Sequence, residues 1–159
     1  MNTIYLLLGS NIGDPMSHLS EAKNQIEKQI GTITKVSGIY KTAAWGNKNQ
    51  PDFLNQIIVA QTSYTAQQTI TKILSAEKKM GRFRSKKNAP RIIDIDILFF
   101  NNEIIESTDL IVPHAEIQNR RFVLVPLNEL CPDMMHPVLQ KTIYELLHDC
   151  ADKLNVQKI

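Results

Sequence analysis

The stretch that decides the fold is Ile92-Ile93-Asp94-Ile95-Asp96-Ile97-Leu98-Phe99-Phe100, residues 92–100, in which branched and aromatic side chains surround two aspartates. An apolar run of this length, rich in β-branched residues, predicts a buried β-strand. Because side chains alternate between the faces of a strand, we expect Asp94 and Asp96 on one face and the isoleucines beside them on the other. The two aspartate Cα atoms should then lie roughly 6.5–7 Å apart. One face therefore suits a core, and the other could present two carboxylates to a hard cation.

Working outward, hydrophobic periodicity and turn residues predict three more strands and two helices before this strand. The predicted strands cover residues 3–8, 32–42 and 53–62, and the predicted helices run from Asp14-Pro15 to Gly31 and over residues 65–80 up to Gly81. Residues 43–52 are polar and rich in turn formers, which predicts a loop. The order β-α-β-β-α-β predicts an α+β, ferredoxin-like sandwich with an antiparallel sheet. Additional C-terminal elements are expected: a short hairpin partner of the last strand at residues 103–105, and a helix over residues 139–150.

Length and composition favour an ordinary globular protein. The chain has 159 residues, with 43% hydrophobic and 21% charged, and we expect one domain over residues 1–159. No apolar stretch reaches the roughly 18–20 residues that span a bilayer, and the N-terminal residues lack the pattern of a signal peptide. Cys131 and Cys150 are far apart, which favours free thiols in a reducing compartment over a disulfide or a zinc site. We expect a monomeric, cytoplasmic protein with no membrane partner.

Basic residues are concentrated just before the aspartate strand. Seven of the eighteen Lys and Arg residues lie in the fourteen positions 78–91, with no acidic residue among them, although the net charge is only +2. Such a segment predicts a local anion site. Carboxylates for Mg²⁺ beside arginines for phosphate oxygens suit phosphoryl transfer, because metal and guanidinium share the charge that develops on the transferred group. A solvated basic loop beside an edge strand with one solvated face is the structural alternative.

A second group of residues suits a flat heterocycle. In Gln50-Pro51-Asp52-Phe53-Leu54-Asn55, the side chains of Phe53 and Asn55 share one strand face. An aromatic ring offers stacking, and an amide offers both a donor and an acceptor to the edge of a heterocycle. Phe122 could supply an opposite plate. His114 could donate to a phosphate or could only cap its own loop.

Several motifs together resemble the 6-hydroxymethyl-7,8-dihydropterin pyrophosphokinase family of folate biosynthesis. The strongest is the run from Lys87 to Leu98, Lys-Asn-Ala-Pro-Arg-Ile-Ile-Asp-Ile-Asp-Ile-Leu. The others follow in family order between residues 9 and about 127. They are Gly9-Ser10-Asn11, Tyr40-Lys41-Thr42, Gln50 to Asn55, Glu77, Gly81-Arg82-Phe83-Arg84, Val112-Pro113-His114 and Asn119-Arg120-Arg121-Phe122.

The resemblance implies transfer of pyrophosphate from ATP, as co-substrate, to the hydroxymethyl group of the pterin, with release of AMP. It implies that Asp94 and Asp96 bind two Mg²⁺ and that Arg82 and Arg91 join them in catalysis. The implied pterin-binding residues are Thr42, Ala44, Trp45, Phe53, Asn55 and Phe122. The implied ATP-binding residues are Glu77, Arg82, Arg84, Arg91, Ile97, His114 and Arg120. The chain departs from the usual family pattern at Phe53, at Lys87-Asn88 and at Ala43-Ala44-Trp45, and no residue stands out as a general base.

Two other functions share part of this pattern. Another two-metal enzyme of the same fold, such as a nucleotidyl cyclase or a polymerase-like transferase, would use the aspartates but not the paired aromatic residues and Asn55. A non-enzymatic RNA-binding sheet would carry aromatics on its central strands. In this chain, the corresponding face of the 92–100 strand carries Asp94 and Asp96, which would repel a nucleic-acid backbone. We therefore expect small-molecule substrates and no nucleic-acid partner.

Overall fold

A computed structural model describes residues 1–44, 49–82 and 92–159, and these residues form an α+β fold with an antiparallel sheet. Trp45, Arg84 and Arg91, which the sequence assigns to the site, lie outside the described residues. The elements, in chain order, are β1 (Asn2–Ser10), α1 (Pro15–Gln29), β2 (Thr32–Val36), β3 (Tyr40–Thr42), β4 (Phe53–Thr62), α2 (Ala66–Lys79), β5 (Asp94–Phe100), β6 (Ile105–Glu106), β7 (Ile111–Val112), a 3₁₀ turn (Ile117–Asn119), α3 (Arg121–Leu130), α4 (Ile143–Asp149) and β8 (Val156–Lys158).

The main sheet has the strand order β5-β1-β4-β3-β8, and β2 also pairs with β4. Every pairing in it is antiparallel. β1 lies between β4 and β5, with Gly9 opposite Asn55 on one side and opposite Asp94 on the other. The residues expected to form the site therefore lie on adjacent strands, near the C-terminal end of β1.

Alternating side chains of the sheet build a hydrophobic core on each face. On one face, Leu6 and Ile97 pack into a core shared with Leu19 and Ile26 of α1 and Ile73 of α2. The other face contributes to a second core with α3 and α4, whose members include Leu7, Ile57, Leu98, Phe99, Val123, Leu124, Leu127, Ile143 and Leu146. Burial on both faces explains why the central strands read as continuous apolar runs.

The first two helices begin where the sequence predicts. The Asp14 side chain accepts a hydrogen bond from the Ser17 N–H, and Pro15 is the first residue of α1. Thr65 and Gln68 form a capping box at the start of α2. After α2 the chain turns at Gly81, whose φ of +89° suits glycine.

The predicted strand over residues 32–42 is two strands, β2 and β3. Between them, Ser37 keeps contact with β4, because its N–H donates to the Ile57 carbonyl and its hydroxyl accepts from the Ile57 N–H. The next N–H, that of Gly38, instead donates to the Glu129 carboxylate, so the regular ladder is interrupted.

The predicted hairpin at residues 103–105 is wrong in its pairing. β6 pairs with β7, with Ile105 opposite Val112, and forms a separate two-stranded sheet. Asn101 adopts a positive φ of 51°, and the Glu103 N–H bonds back to the Phe100 carbonyl, so the chain turns away from the end of β5.

The predicted C-terminal helix is shorter than expected, and four other elements were not located from the sequence. α4 begins after Thr142, which forms a capping box with Glu145, because Gln140 has a positive φ of 57° that interrupts a helix. β7, the 3₁₀ turn, α3 and β8 had no predicted bounds. Cys131 and Cys150 are free thiols. Among the described residues, no helix is long and apolar enough to cross a membrane.

Candidate active site

A cavity of about 570 Å³, including the open solvent at its mouth, lies over the ends of β1, β4 and β5. Its lining residues are Leu7, Gly9, Thr42, Ala43, Phe53, Asn55, Asp94, Asp96, Arg120 and Phe122. Seven of the described residues that the sequence assigns to the site line this cavity directly: Thr42, Phe53, Asn55, Asp94, Asp96, Arg120 and Phe122. They come from β3, β4, β5 and the region at the start of α3, so the fold gathers distant segments of the chain.

The acidic side of the cavity is formed by the two aspartates of β5. Asp94 and Asp96 are both part-exposed, whereas Ile95 between them is only 3% exposed and belongs to the core. The predicted alternation of this strand is therefore confirmed. The carboxylates line one cavity from alternate positions of one strand, which is the arrangement that could bring them to a common cation.

Arg82 and Glu77 lie directly against this acidic side. Arg82 Nη1 donates to Glu77 Oε2 at 2.8 Å and to Asp94 Oδ1 at 3.0 Å. Glu77 is 4% exposed, and its Oε2 also accepts the backbone N–H of Ile95 at 2.7 Å. Glu77 thus ties α2 to the backbone of β5 and holds the guanidinium of Arg82 beside the aspartates.

The carboxyl groups here are hard to ionise together. Burial raises the pKa of Asp96 well above its ordinary value of 3.8, and the charges of Asp94 and Glu77 raise it further. Burial also raises the pKa of Glu77, against the opposing effects of the Ile95 N–H and the Arg82 guanidinium. Partly buried anions side by side, next to the buried Glu77, favour a compensating positive charge.

The opposite side of the cavity presents aromatic and amide groups. Phe53 and Phe122 line it, and Asn55, which is 2% exposed, donates from Nδ2 to Thr42 Oγ1 at 3.0 Å. That bond uses one of the two N–H groups of the amide and orients its oxygen. The side chain of Asn11 donates to Gln50 Oε1 at 2.8 Å and to the Pro51 carbonyl at 3.1 Å, which fixes the chain entering β4.

Two basic side chains stand near the acidic side. Arg120 precedes α3, lines the cavity, and holds its guanidinium carbon 5.8 Å from the centre of the Phe122 ring. His114 Nδ1 accepts the Glu116 N–H at 3.1 Å, so the neutral ring carries its proton on Nε2. Burial and the charge of Arg120 lower the pKa of His114, while Asp94 opposes this shift. His114 therefore lies within electrostatic reach of both residues.

Ile97 and Ala44 are not among the residues that line the cavity. Ile97 is 4% exposed and packs in the core beneath the sheet, on the face opposite to Asp94 and Asp96. Ala44 is 3% exposed and follows Ala43, which does line the cavity. The structure thus brings neither of these two side chains to the surface of the cavity.

The sequence did not assign Leu7, Gly9 or Ala43 to the site. Gly9 lies between Asn55 and Asp94 in the sheet, and a Cβ added to it would lie 3.1 Å from Asn55 Oδ1. The sequence predicts the first strand only to residue 8, with Gly9 in the turn that follows, and Leu7 shares the strand face of Gly9 two residues earlier. No local pattern therefore assigns either residue to the site.

The donor set fits a hard divalent cation. Asp94 and Asp96 offer carboxylate oxygens, and the pKa of Asp96, raised first by burial and then by the charges of Asp94 and Glu77, is one that a bound cation would lower. Among residues 1–44, 49–82 and 92–159, no group of three or more His, Cys, Asp and Glu side chains could hold a metal ion. Substrate oxygens and water are the usual further ligands of Mg²⁺.

Comparison with known proteins identifies the family. The model of the 7,8-dihydro-6-hydroxymethylpterin-pyrophosphokinase (HPPK) family matches residues 5–132. The chain is 41% identical over 145 residues to the 2-amino-4-hydroxy-6-hydroxymethyldihydropteridine pyrophosphokinase of Aquifex aeolicus, covering 91% of this chain and 90% of that protein. It is 35% identical to the Haemophilus influenzae protein of the same name, covering 96% of this chain and 95% of the relative.

Longer proteins contain a similar region. The folic acid synthesis protein fol1 of Schizosaccharomyces pombe is 36% identical over 98% of this chain, which spans 21% of that protein. Among solved structures, wild-type HPPK-DHPS of Plasmodium falciparum matches 92% of this chain with a TM-score of 0.75 at 20% identity. The chain spans 44% of that structure, and the likeness supports the fold alone. The family match and the relatives of similar length show that this chain belongs to the HPPK family and is an enzyme of the pyrophosphokinase type.

Proposed function

We propose that the protein transfers pyrophosphate from ATP to the hydroxymethyl group of 6-hydroxymethyl-7,8-dihydropterin, releasing AMP, in a Mg²⁺-dependent step of folate biosynthesis. The observation that carries the proposal is one cavity with two carboxylates on one side and an aromatic-amide group on the other. The relatives named as pyrophosphokinases of this pterin support the assignment of substrate.

The aromatic side is proposed to hold the pterin. Phe53 and Phe122 offer ring faces for stacking, and Asn55 with Thr42 offers donors and acceptors to the edge of the heterocycle. Residues 44 and 45 remain part of this proposed pocket through their main chain. Gly9 leaves space beside Asn55, which would admit a flat ring close to the sheet.

The acidic side is proposed to hold the phosphates of ATP through metal. Two Mg²⁺ bound to Asp94 and Asp96 would neutralise and orient the phosphate oxygens. Arg82, Arg120 and His114 are proposed to donate to phosphate oxygens, together with Arg84 and Arg91 from the basic segment. We propose a supporting role for Glu77, because it fixes Arg82. For Ile97, whose side chain is in the core, we propose only that its part of strand β5 lies next to the adenine.

In the proposed reaction, the pterin hydroxyl oxygen forms a bond to the β-phosphorus of ATP, and the bond between that phosphorus and the α,β-bridging oxygen breaks. AMP leaves with the bridging oxygen, and the hydroxyl proton passes to solvent. The chain's own part is to hold the two reactants in one cavity and to supply positive charge where the transferred group gains negative charge.

The same proposal includes the organisation of the chain. We propose that residues 1–159 form one pyrophosphokinase domain, since β8 near the C-terminus pairs with β3 beside the cavity. We interpret the order β5-β1-β4-β3, with its two helices on one face, as the ferredoxin-like arrangement. A cytoplasmic location fits the two free thiols.

The deciding experiment is incubation with Mg-ATP and 6-hydroxymethyl-7,8-dihydropterin, followed by separation of the nucleotides. AMP should form in a one-to-one ratio with pterin pyrophosphate, and neither should form after chelation of the metal. ADP formed in step with pterin turnover would exclude the proposed attack on the β-phosphorus.

A further inference from the structure

A hydrogen-bonded cluster around Glu129, whose side chain is 29% exposed, joins three parts of the fold, one of them the cavity-lining strand β3. Tyr40 is 6% exposed, and its hydroxyl donates to Glu129 Oε1 at 2.5 Å. The N–H of Gly38 donates to both carboxylate oxygens, at 3.2 and 3.1 Å. Lys158 Nζ lies 3.4 Å from Oε1. One carboxylate of α3 therefore contacts the β2–β3 connection, β3 and β8.

This cluster is held by interactions to a charged group. The Tyr40 hydroxyl and the Lys158 ammonium lower the pKa of Glu129 despite its partial burial, so the anion is the favoured form. Hydrogen bonds to an ionised group are about twice as strong as neutral ones. Truncation of such a partner leaves buried groups such as the Tyr40 hydroxyl without their acceptor.

Glu129 is connected to the cavity through α3. Phe122, which lines the cavity, precedes Glu129 by seven residues, so the two lie on one face of α3, about 10.5 Å apart along the helix axis. The other end of α3 is also anchored, because the Arg121 N–H donates to Asp152 Oδ2 at 3.1 Å. The C-terminal segment thus contacts α3 at both ends, through Asp152 and Lys158.

The same cluster is connected to the cavity through β3. Tyr40 precedes Thr42 by two residues on this three-residue strand, so both side chains point to the same face. Thr42 accepts the hydrogen bond of Asn55 and lies opposite Phe53 in the sheet. Any displacement of β3 relative to α3 would therefore change the separation of Thr42 and Phe122, which both line the cavity.

We infer that Glu129 is a positioning residue for the pterin. By fixing α3 against β3 and β8, it sets the distance between Phe122 on α3 and Thr42 on β3, on the aromatic side of the cavity. The inference rests on the proposed function, since it deepens the assignment of the aromatic side. Glu129 does not line the cavity, and it acts through Phe122 on one element and Thr42 on the other.

The test uses Glu129→Gln and Tyr40→Phe, singly and together, with pterin and a non-hydrolysable ATP analogue titrated by calorimetry in the presence of Mg²⁺. Both single variants should weaken pterin binding by about five- to tenfold and leave the affinity for the ATP analogue within about twofold. Because they break the same contact, the double variant should be little worse than Glu129→Gln alone. Thr142→Ala, which removes the capping hydroxyl at the start of α4, is the matched control for lost stability and should leave both affinities unchanged.

An equal loss of both affinities, or a pterin affinity within twofold of wild type in Glu129→Gln, would overturn the inference and leave Glu129 as a stabilising residue only. If Glu129→Gln does not fold, Lys158→Gln removes only the exposed partner of Glu129 and should weaken pterin binding about two- to threefold. An unchanged pterin affinity in Lys158→Gln would also overturn the inference. If the wild-type protein does not bind the pterin, the proposed function fails. Amide hydrogen exchange of the ligand-free proteins then tests whether Glu129 fixes α3 against β3. Faster exchange at residues 40–42 and 121–124 in Glu129→Gln supports that role, and unchanged exchange refutes it.

Discussion

Arg82 Nη1 and Asp94 Oδ1 are 3.0 Å apart, so an arginine of the proposed ATP site contacts an aspartate of the proposed metal site directly. The same nitrogen is 2.8 Å from Glu77 Oε2. Arg82 therefore supplies positive charge to two carboxylates, one of them almost fully buried. A cation at the aspartates would supply charge to the same region, so the roles of Arg82 and the metal should be linked.

Arg82→Ala should reduce turnover much more than it reduces affinity for the ATP analogue, because a phosphate contact made in the transition state acts on the rate. It should also lower the melting temperature in the absence of Mg²⁺, since Glu77 and Asp94 lose their shared partner. Mg²⁺ should restore part of that loss. Kinetics and thermal unfolding with and without Mg²⁺ measure both effects.

The control is Lys79→Ala, which removes an exposed lysine in the last turn of α2. An equal effect in that variant would show that the loss of any positive charge in this region, rather than the loss of the Arg82 contacts, is responsible.

Asp94→Ala and Asp96→Ala should each lower turnover by at least about 100-fold, because one carboxylate cannot hold and orient both metal ions. Neither change should prevent folding, since each removes one of two repelling anions from the strand. Turnover at saturating Mg²⁺ and Mn²⁺ binding by paramagnetic resonance measure the loss. Asp109→Ala, at an exposed turn between β6 and β7, is the control. Near-normal turnover in either Asp94→Ala or Asp96→Ala would show that the two aspartates are structural.

Phe53→Ala should weaken pterin binding by about 1–3 kcal/mol, the range for stacking of an aromatic side chain on a base. Affinity for the ATP analogue should change little, because the proposed phosphate contacts come from other elements. Calorimetry with each ligand checks the prediction, with Tyr144→Ala, an exposed aromatic of α4, as the control. Loss of ATP affinity with normal pterin affinity would mean that the two sides of the cavity are assigned in reverse.

Gly9→Ala should lower pterin affinity at little cost in stability. The added methyl group would lie 3.1 Å from Asn55 Oδ1, so the amide must shift by a few tenths of an ångström. Gly9 does not have a positive φ, so alanine should not strain the backbone. Calorimetry and urea unfolding separate the two effects. A variant with normal pterin affinity would place the ring away from this part of the sheet.

Stability should fall at high pH through Tyr40. Burial, followed by the hydrogen bond to Glu129 and its charge, raises the pKa of Tyr40 from 10.0 to about 12. Because the folded protein favours the neutral phenol, this contribution is fully present below pH 10 and is lost as the pH rises towards 12. The free energy of unfolding of wild type should therefore fall by about 1–2 kcal/mol relative to Tyr40→Phe across that window. Urea unfolding at pH 9 and 11.5 tests this, and parallel curves for the two proteins would contradict it.

The sequence by itself determined the elements whose pattern is local. Alternation in residues 92–100 predicts the opposed faces of Asp94 and Ile95, and residues 53–62 form β4 with the predicted bounds. The first two helices carry their start signals in a few neighbouring residues, Asp14-Pro15 and Thr65. These predictions succeed because period and capping depend on side chains within one or two turns. The motifs around both groups of the site also carry the resemblance to the HPPK family, whose model matches residues 5–132.

The tertiary structure alone decided which distant residues meet. The pairing of β6 with β7, the addition of β8 to the edge of β3, and the contact of Glu129 with Tyr40 join residues from five to over 100 positions apart. Nothing in a local period encodes those pairings, because each depends on how the partner segments are placed, and the last two also require the closure of long loops. Gly9 became part of the cavity for the same reason: its value lies in the space it leaves between Asn55 and Asp94, and that neighbourhood exists only once β1, β4 and β5 are paired.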